Sequence, residues 1–148
     1  MSTIHALRLT VSTALVAASR QWRRTCHNVL TAYGVSEACA TPLLHTGRLG
    51  DGVRQVTLAA AVGIEGPSLV RLLDQLCAAD LVRREDDPAD GRAKTIWLTD
   101  AGRATNAKIE ARLVELRASA LKGVSKEDLE ATLRVLRVFI ASSEVTPG

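Results

Sequence analysis

The stretch Asp86-Asp87-Pro88-Ala89-Asp90-Gly91-Arg92-Ala93-Lys94, followed by Thr95-Ile96-Trp97-Leu98-Thr99-Asp100-Ala101-Gly102, decides the fold. Pro88-Ala89-Asp90-Gly91 is strong turn chemistry, because Pro88 fixes φ and Gly91 tolerates φ > 0. It predicts a hairpin with strands at residues 81–85 and 93–98, and Arg92 at the tip. Thr99 is placed to cap a helix over about residues 100–121, with Ile109, Leu113, Leu116 and Ala120 on one face. Upstream, Thr57 opens a short apolar run, 58–62, that Gly63 stops. Gly66 as N-cap and Pro67 at the first helical position start a second helix reaching about Ala79. Its buried face is Leu69, Leu72, Leu73 and Leu76; Ser68, Arg71 and Gln75 share another face. Two short helices followed by an arginine-tipped hairpin are the parts of a winged helix–turn–helix. In such a fold one helix enters the major groove of DNA and the tip reaches the neighbouring minor groove.

Outside this region the chain reads as helix. Residues 4–33 carry Ile4, Leu7, Val11, Leu15, Ala18, Trp22, Cys26, Val29 and Tyr33 at steps of three and four, and Gly34 ends the run. Such a helix spans about 45 Å, against a radius of gyration of about 15 Å for a domain of this length. It is expected to project and to need a partner chain. Ser36 caps a second helix over about 37–48. Ser125 and Asp128 resemble a capping box for a last helix over about 126–142. Leu129, Leu133, Leu136, Val138, Phe139 and Ile140 make that helix too apolar for one solvated face. The expected architecture is mainly α with a small β-wing. Residues 1–34 and 122–148 form a helical dimerisation region, and residues 35–121 a winged helix–turn–helix region with its connecting helix. Ile4, Leu7, Val11, Leu129, Leu133, Leu136, Phe139 and Ile140 are the expected dimer contacts.

With 148 residues, 47% of them hydrophobic, the chain can bury one core. No apolar run is long enough for a transmembrane helix, and Met1-Ser2-Thr3-Ile4-His5 lacks a signal-peptide layout. Cys26, Cys39 and Cys77 are odd in number and lack C-x-x-C spacing, which favours reduced thiols in a cytoplasmic protein. His5, His27 and His45 lie too far apart to read as a metal site. No phosphate loop, nucleophile elbow or paired-carboxylate arrangement stands out, so neither an enzyme, a cofactor nor a membrane partner is expected. The net charge is only +3. Residues 1–36 hold four arginines and no acid, whereas residues 48–103 hold eight basic and nine acidic residues. Nucleic-acid binding therefore rests on where individual arginines sit, not on a basic patch.

The run Gly63-Ile64-Glu65-Gly66-Pro67-Ser68-Leu69-Val70-Arg71-Leu72-Leu73-Asp74-Gln75-Leu76, with Asp90-x-Arg92 and Leu98-Thr99-x-x-Gly102, resembles the MarR family of bacterial transcription regulators. The Pro67–Arg71 run looks most like its SlyA branch. The resemblance covers most of the chain. It implies a homodimer on a pseudo-palindromic operator, cytoplasmic and nucleoid-associated when bound. Ser68 and Arg71 map onto positions facing DNA in the major groove, and Arg92 onto the wing arginine of the minor groove. Pro67, Gln75, Arg54 and Lys94 are further candidate DNA contacts. Many members carry a second arginine where this chain has Gly91, and Glu85-Asp86-Asp87 must point away from phosphate. Asp90 is expected to orient Arg92 or a strand arginine, and one of Arg83 and Arg84 to bridge to an acid such as Asp86.

Family members often bind small aromatic carboxylates beside the DNA-binding region. Trp22, His45 and Arg48 are the candidate effector contacts, with Arg20 or Arg23 as carboxylate partners, since guanidinium presents a planar fork to a carboxylate. Trp22 as a core residue and His45 as a satisfied polar residue are the competing structural readings. The expected function is thus a repressor released by a small anionic, aromatic effector. The alternatives are a regulator of the same fold sensing oxidants through a cysteine, Cys39 at a helix start being the candidate, and a helical protein-interaction module that binds no DNA.

Overall fold

The computed structural model describes residues 3–142, so residues 1–2 and 143–148 of the expected dimerisation region lie outside the described residues. The elements are α1 (Ile4–Ala32), α2 (Glu37–Leu49), β1 (Val53–Arg54), α3 (Gln55–Val62), α4 (Gly66–Ala78), β2 (Val82–Asp86), β3 (Lys94–Leu98), α5 (Asp100–Ala120) and α6 (Lys126–Ala141). The fold is mainly helical with a small antiparallel sheet, ordered β1-β3-β2. Internal contacts divide the chain into Met1–Leu113 and Val114–Gly148.

In the first unit α2 is the central helix. Ser36 caps it, accepting the Cys39 N–H at 3.2 Å. Its Ala40 and Leu43 are buried against α4 and α3, together with Leu58, Leu69, Leu73, Ile96 and Ile109. Truncating any of these large aliphatic side chains to Ala costs about 2–5 kcal/mol. Along α1 only Val29 and Leu30 are buried. The stripe from Ile4 to Val11 is exposed, with Ile4 at 64%.

The helix–turn–helix departs from expectation at its boundaries. α3 begins at Gln55, ahead of Thr57, because Val53 and Arg54 first pair with Ile96 and Thr95 of β3. This third strand was not anticipated. Glu65 is the N-cap of α4, so Gly66 is already helical and Pro67 lies within the first turn. Leu72 is half-buried, leaving Leu69, Leu73 and Leu76 as the buried face of α4.

The junction from α4 to the hairpin explains Leu98-Thr99-x-x-Gly102. Asp80 turns the chain with φ of +58°. Thr99 donates its hydroxyl to the Asp80 carbonyl at 2.6 Å and accepts the Gly102 N–H at 2.9 Å. The Leu81 carbonyl lies so close that a Cβ on residue 102 would sit 1.8 Å from its oxygen. Only glycine lets the start of α5 pack there.

In the second unit Ser125 caps α6 by accepting the Asp128 N–H at 3.1 Å. No α6 residue is fully buried. Leu129, Leu133, Phe139 and Ile140 are exposed, Ile140 at 72%, and Leu136 is half-buried.

Candidate nucleic-acid interface

The amphipathic pattern of α4 turns Leu69, Leu73 and Leu76 inward, which leaves Pro67 and Arg71 exposed on the opposite face. Ser68 is half-buried on the flank. Gln75 is exposed, but its Oε1 accepts from the Cys39 thiol at 3.3 Å, so its carbonyl end is turned towards α2. Cys39 is buried at that contact, and none of the three cysteines forms a disulfide.

The hairpin pairs β2 with β3 from Val82↔Leu98 to Asp86↔Lys94. Gly91 does not adopt positive φ, contrary to the turn read from the sequence. Two aspartates close the loop instead. Asp87 Oδ1 accepts the Ala89 N–H at 2.9 Å, and Asp90 Oδ1 accepts the Arg92 N–H at 3.1 Å. Asp90 therefore fixes the backbone of Arg92, not a guanidinium. Asx turns of this kind remove the need for a left-handed residue.

Each acid at the base of the wing has its own cation. Glu85 pairs with Arg83 at 3.0 Å, Asp86 with Lys94, and Asp87 with Arg54 at 2.7 Å. Arg83 also lies over the Trp97 ring, 5.2 Å from its centroid. Arg84 reaches back to Asp74 of α4 at 2.5 Å. Neither strand arginine bridges to Asp86, because the direct cross-strand partner Lys94 occupies it. The Asp74 hydrogen bond raises the Arg84 pKa above its ordinary value. The Asp87 carboxyl is held below the usual carboxylate range by the Ala89 N–H, with the Arg54 guanidinium adding to it.

Arg48 and Arg103 are paired too, Arg48 with Glu110 at 2.8 Å and Arg103 with Asp51 at 2.5 Å. Among the described residues from α2 to β3, Arg71 and Arg92 are the arginines without an ion-pair partner. Both are exposed. Of the other candidate DNA contacts, Arg54 and Lys94 are held by wing acids.

The candidate effector residues do not gather. A cleft of about 570 Å³ is lined by Arg23, Glu37, Ala38, Thr41, Val62, Ile64 and Leu72. Of the expected set only Arg23 borders it, paired loosely with Glu37 at 3.8 Å. Trp22 is half-buried and Arg20 exposed on α1, while His45 donates from Nδ1 to the Thr41 carbonyl at 2.8 Å. Arg48 is taken by Glu110. Glu37, Thr41, Val62 and Ile64 carried no signal in the sequence, since they come from separate elements meeting only in the fold.

Residues 33–93 match the family model described as MarR family. The transcriptional regulator PA3341 is 38% identical, over 88% of this chain and 96% of that chain, with a TM-score of 0.79. The transcriptional repressor CouR, solved on a 23-mer DNA duplex, is 25% identical over 95% of this chain and 99% of its own, with a TM-score of 0.76. MepR of S. aureus, also solved with DNA, shares the fold at 21% identity over 95% of this chain and 96% of its own, with a TM-score of 0.75. With this winged helix, and with that identity over nearly the full length of a known regulator, the chain belongs to the MarR family of transcriptional regulators.

Proposed function

We propose that this regulator is a homodimeric, cytoplasmic bacterial repressor of the SlyA-like branch that binds a pseudo-palindromic operator and is released by a small anionic effector. The observation that carries the DNA reading is the pairing pattern of the winged region. Its acids neutralise most of its cations, while Arg71 on the outward face of α4 and Arg92 on the hairpin tip stay available. Arg71 then enters the major groove with Pro67 and Ser68 beside it, and Arg92 the adjacent minor groove. Gln75, Lys94 and Arg54 support this surface from within. The exposed apolar residues of α1 and α6 support the assignment of residues 1–34 and 122–148 to dimerisation. The SlyA-like placement rests on the Pro67-Ser68-Leu69-Val70-Arg71 run.

For the effector, the cleft beside Arg23 has an apolar wall of Val62, Ile64 and Leu72 and one guanidinium held only loosely by Glu37. An aromatic carboxylate displacing Glu37 from Arg23 suits that lining. Such a ligand releases the operator only if it binds better to the dimer whose recognition helices are misspaced. The experiment is a gel shift on an operator selected from random duplexes, with Arg71→Ala and Arg92→Ala. Each loses at least about fivefold in affinity if these residues read DNA. Unchanged binding by both ends the reading. A parallel thermal-shift screen of small aromatic acids, followed by operator release, tests the effector.

A further inference from the structure

We propose that Asp87, anchored by Arg54, is a positioning residue for Arg92, acting through Asp90. This rests on the reading of Arg92 as a minor-groove contact. A continuous chain of contacts runs from the start of α3 to the wing tip. Arg54, the N-cap residue of α3 and a member of β1, donates to Asp87 Oδ2 at 2.7 Å. The Asp87 carbonyl accepts the Asp90 N–H at 3.2 Å. Asp90 Oδ1 in turn accepts the Arg92 N–H at 3.1 Å.

Asp87 also uses its remaining polar groups. Its N–H donates to the Ala93 carbonyl at 2.9 Å, closing the loop, and Oδ1 takes the Ala89 N–H. Although it sits on a loop, its side chain is only 11% exposed. A carboxylate in a DNA-facing wing costs repulsion from phosphate unless it is neutralised, and here Arg54 neutralises it. Arg54 therefore acts as a brace and not as a phosphate contact. The wing gains a fixed backbone under an arginine whose guanidinium has no ion pair among the described residues.

The test uses the full-length protein and duplexes selected from a random library, each made with A·T-rich and with G·C-rich flanks where the wing lies. The readout is the ratio of the two affinities. Arg92→Ala collapses this ratio. Asp87→Asn keeps the acceptor for Ala89 but loses the ion pair, and lowers the ratio by about threefold to thirtyfold, as for one member of a coupled network. Arg54→Gln breaks the same link from the other side and does likewise, whereas Arg54→Lys restores most of the ratio. In the Arg92→Ala background, Asp87→Asn changes the ratio no further. Equal tightening on both flanks by Asp87→Asn, or additive effects with Arg92→Ala, overturns the brace while leaving the DNA reading standing. A ratio unmoved by Arg92→Ala overturns the minor-groove reading itself.

Discussion

Arg84 of β2 donates to Asp74 of α4 across 2.5 Å, so the wing is tied to the helix that presents Arg71. Arg84 is 28% exposed and Asp74 59%, so solvent screens the pair. Arg84→Ala is expected to cost only about 0.5–1 kcal/mol. Its effect on operator affinity should be larger than that, because the spacing of Arg71 and Arg92 depends on the tie. Chemical denaturation in low salt and in about 1 M salt checks the first part, since screening must shrink the difference.

Gly102 and Gly66 make contrasting predictions. A Cβ at 102 meets the Leu81 carbonyl at 1.8 Å, while one at 66 meets nothing within 4 Å beyond its chain neighbours and its own helix. Gly102→Ala should cost about 3 kcal/mol or more, because backbone must move. Gly66→Ala, in the first turn of α4, should cost under about 1 kcal/mol, its Cβ crowding only the ring of the following Pro67. Urea midpoints of the two variants, measured side by side, decide it.

The long helices were legible because apolar steps of three and four persist over many turns, as along α1 from Ile4 to Val29. The two-residue strand Val53–Arg54 was not, since two residues show no alternation. Gly91 invited a positive-φ turn, yet Asp87 and Asp90 side chains close the loop with ordinary backbone. The residues of the proposed DNA-facing surface stood out in the sequence one by one, but their pairing did not. Arg54 meets Asp87, and Arg84 meets Asp74, only after distant segments pack. The cleft beside Arg23 was opaque for the same reason, its walls coming from four helices and the turn between α3 and α4.

Asp87 gives the wing a pH dependence of defined sign. Its folded pKa lies below the ordinary carboxylate value, so its contribution is fully present above the unfolded pKa of about 3.9 and is lost as pH falls through the folded value. Between about pH 5 and pH 8 this group should leave operator binding unchanged. Acid unfolding followed by tryptophan fluorescence, with Trp97 in the wing as reporter, should have a shallower pH slope in Asp87→Asn than in the wild type.

Exposed aliphatic and aromatic residues on α6 predict self-association. Leu133 is 44% and Ile140 72% exposed, with Phe139 beside them. Leu133→Asp and Ile140→Asp should each convert a dimer to monomer at micromolar concentration, because an unpaired charge in an apolar interface costs several kcal/mol. Sedimentation velocity reads the outcome. A wild-type chain that stays monomeric and folded at that concentration would sink the homodimer.

The pairing pattern also fixes how binding should respond to salt. Each neutralised phosphate contributes about −0.9 to the slope of log K against log salt. If all eight basic residues of the stretch 48–103 met phosphate in a dimer, the slope would approach about −14. With the others held by acids, Arg71 and Arg92 from two subunits give only about −4, and less if Arg71 pairs with a base. Arg92→Ala should flatten the measured slope by about 2, one contact per subunit. Asp86→Asn should steepen it, because Lys94 loses the carboxylate that now holds it. A wild-type slope near −14, measured by fluorescence anisotropy over a salt series, would mean that these ion pairs open on DNA and that the acids of the wing do not restrain its cations.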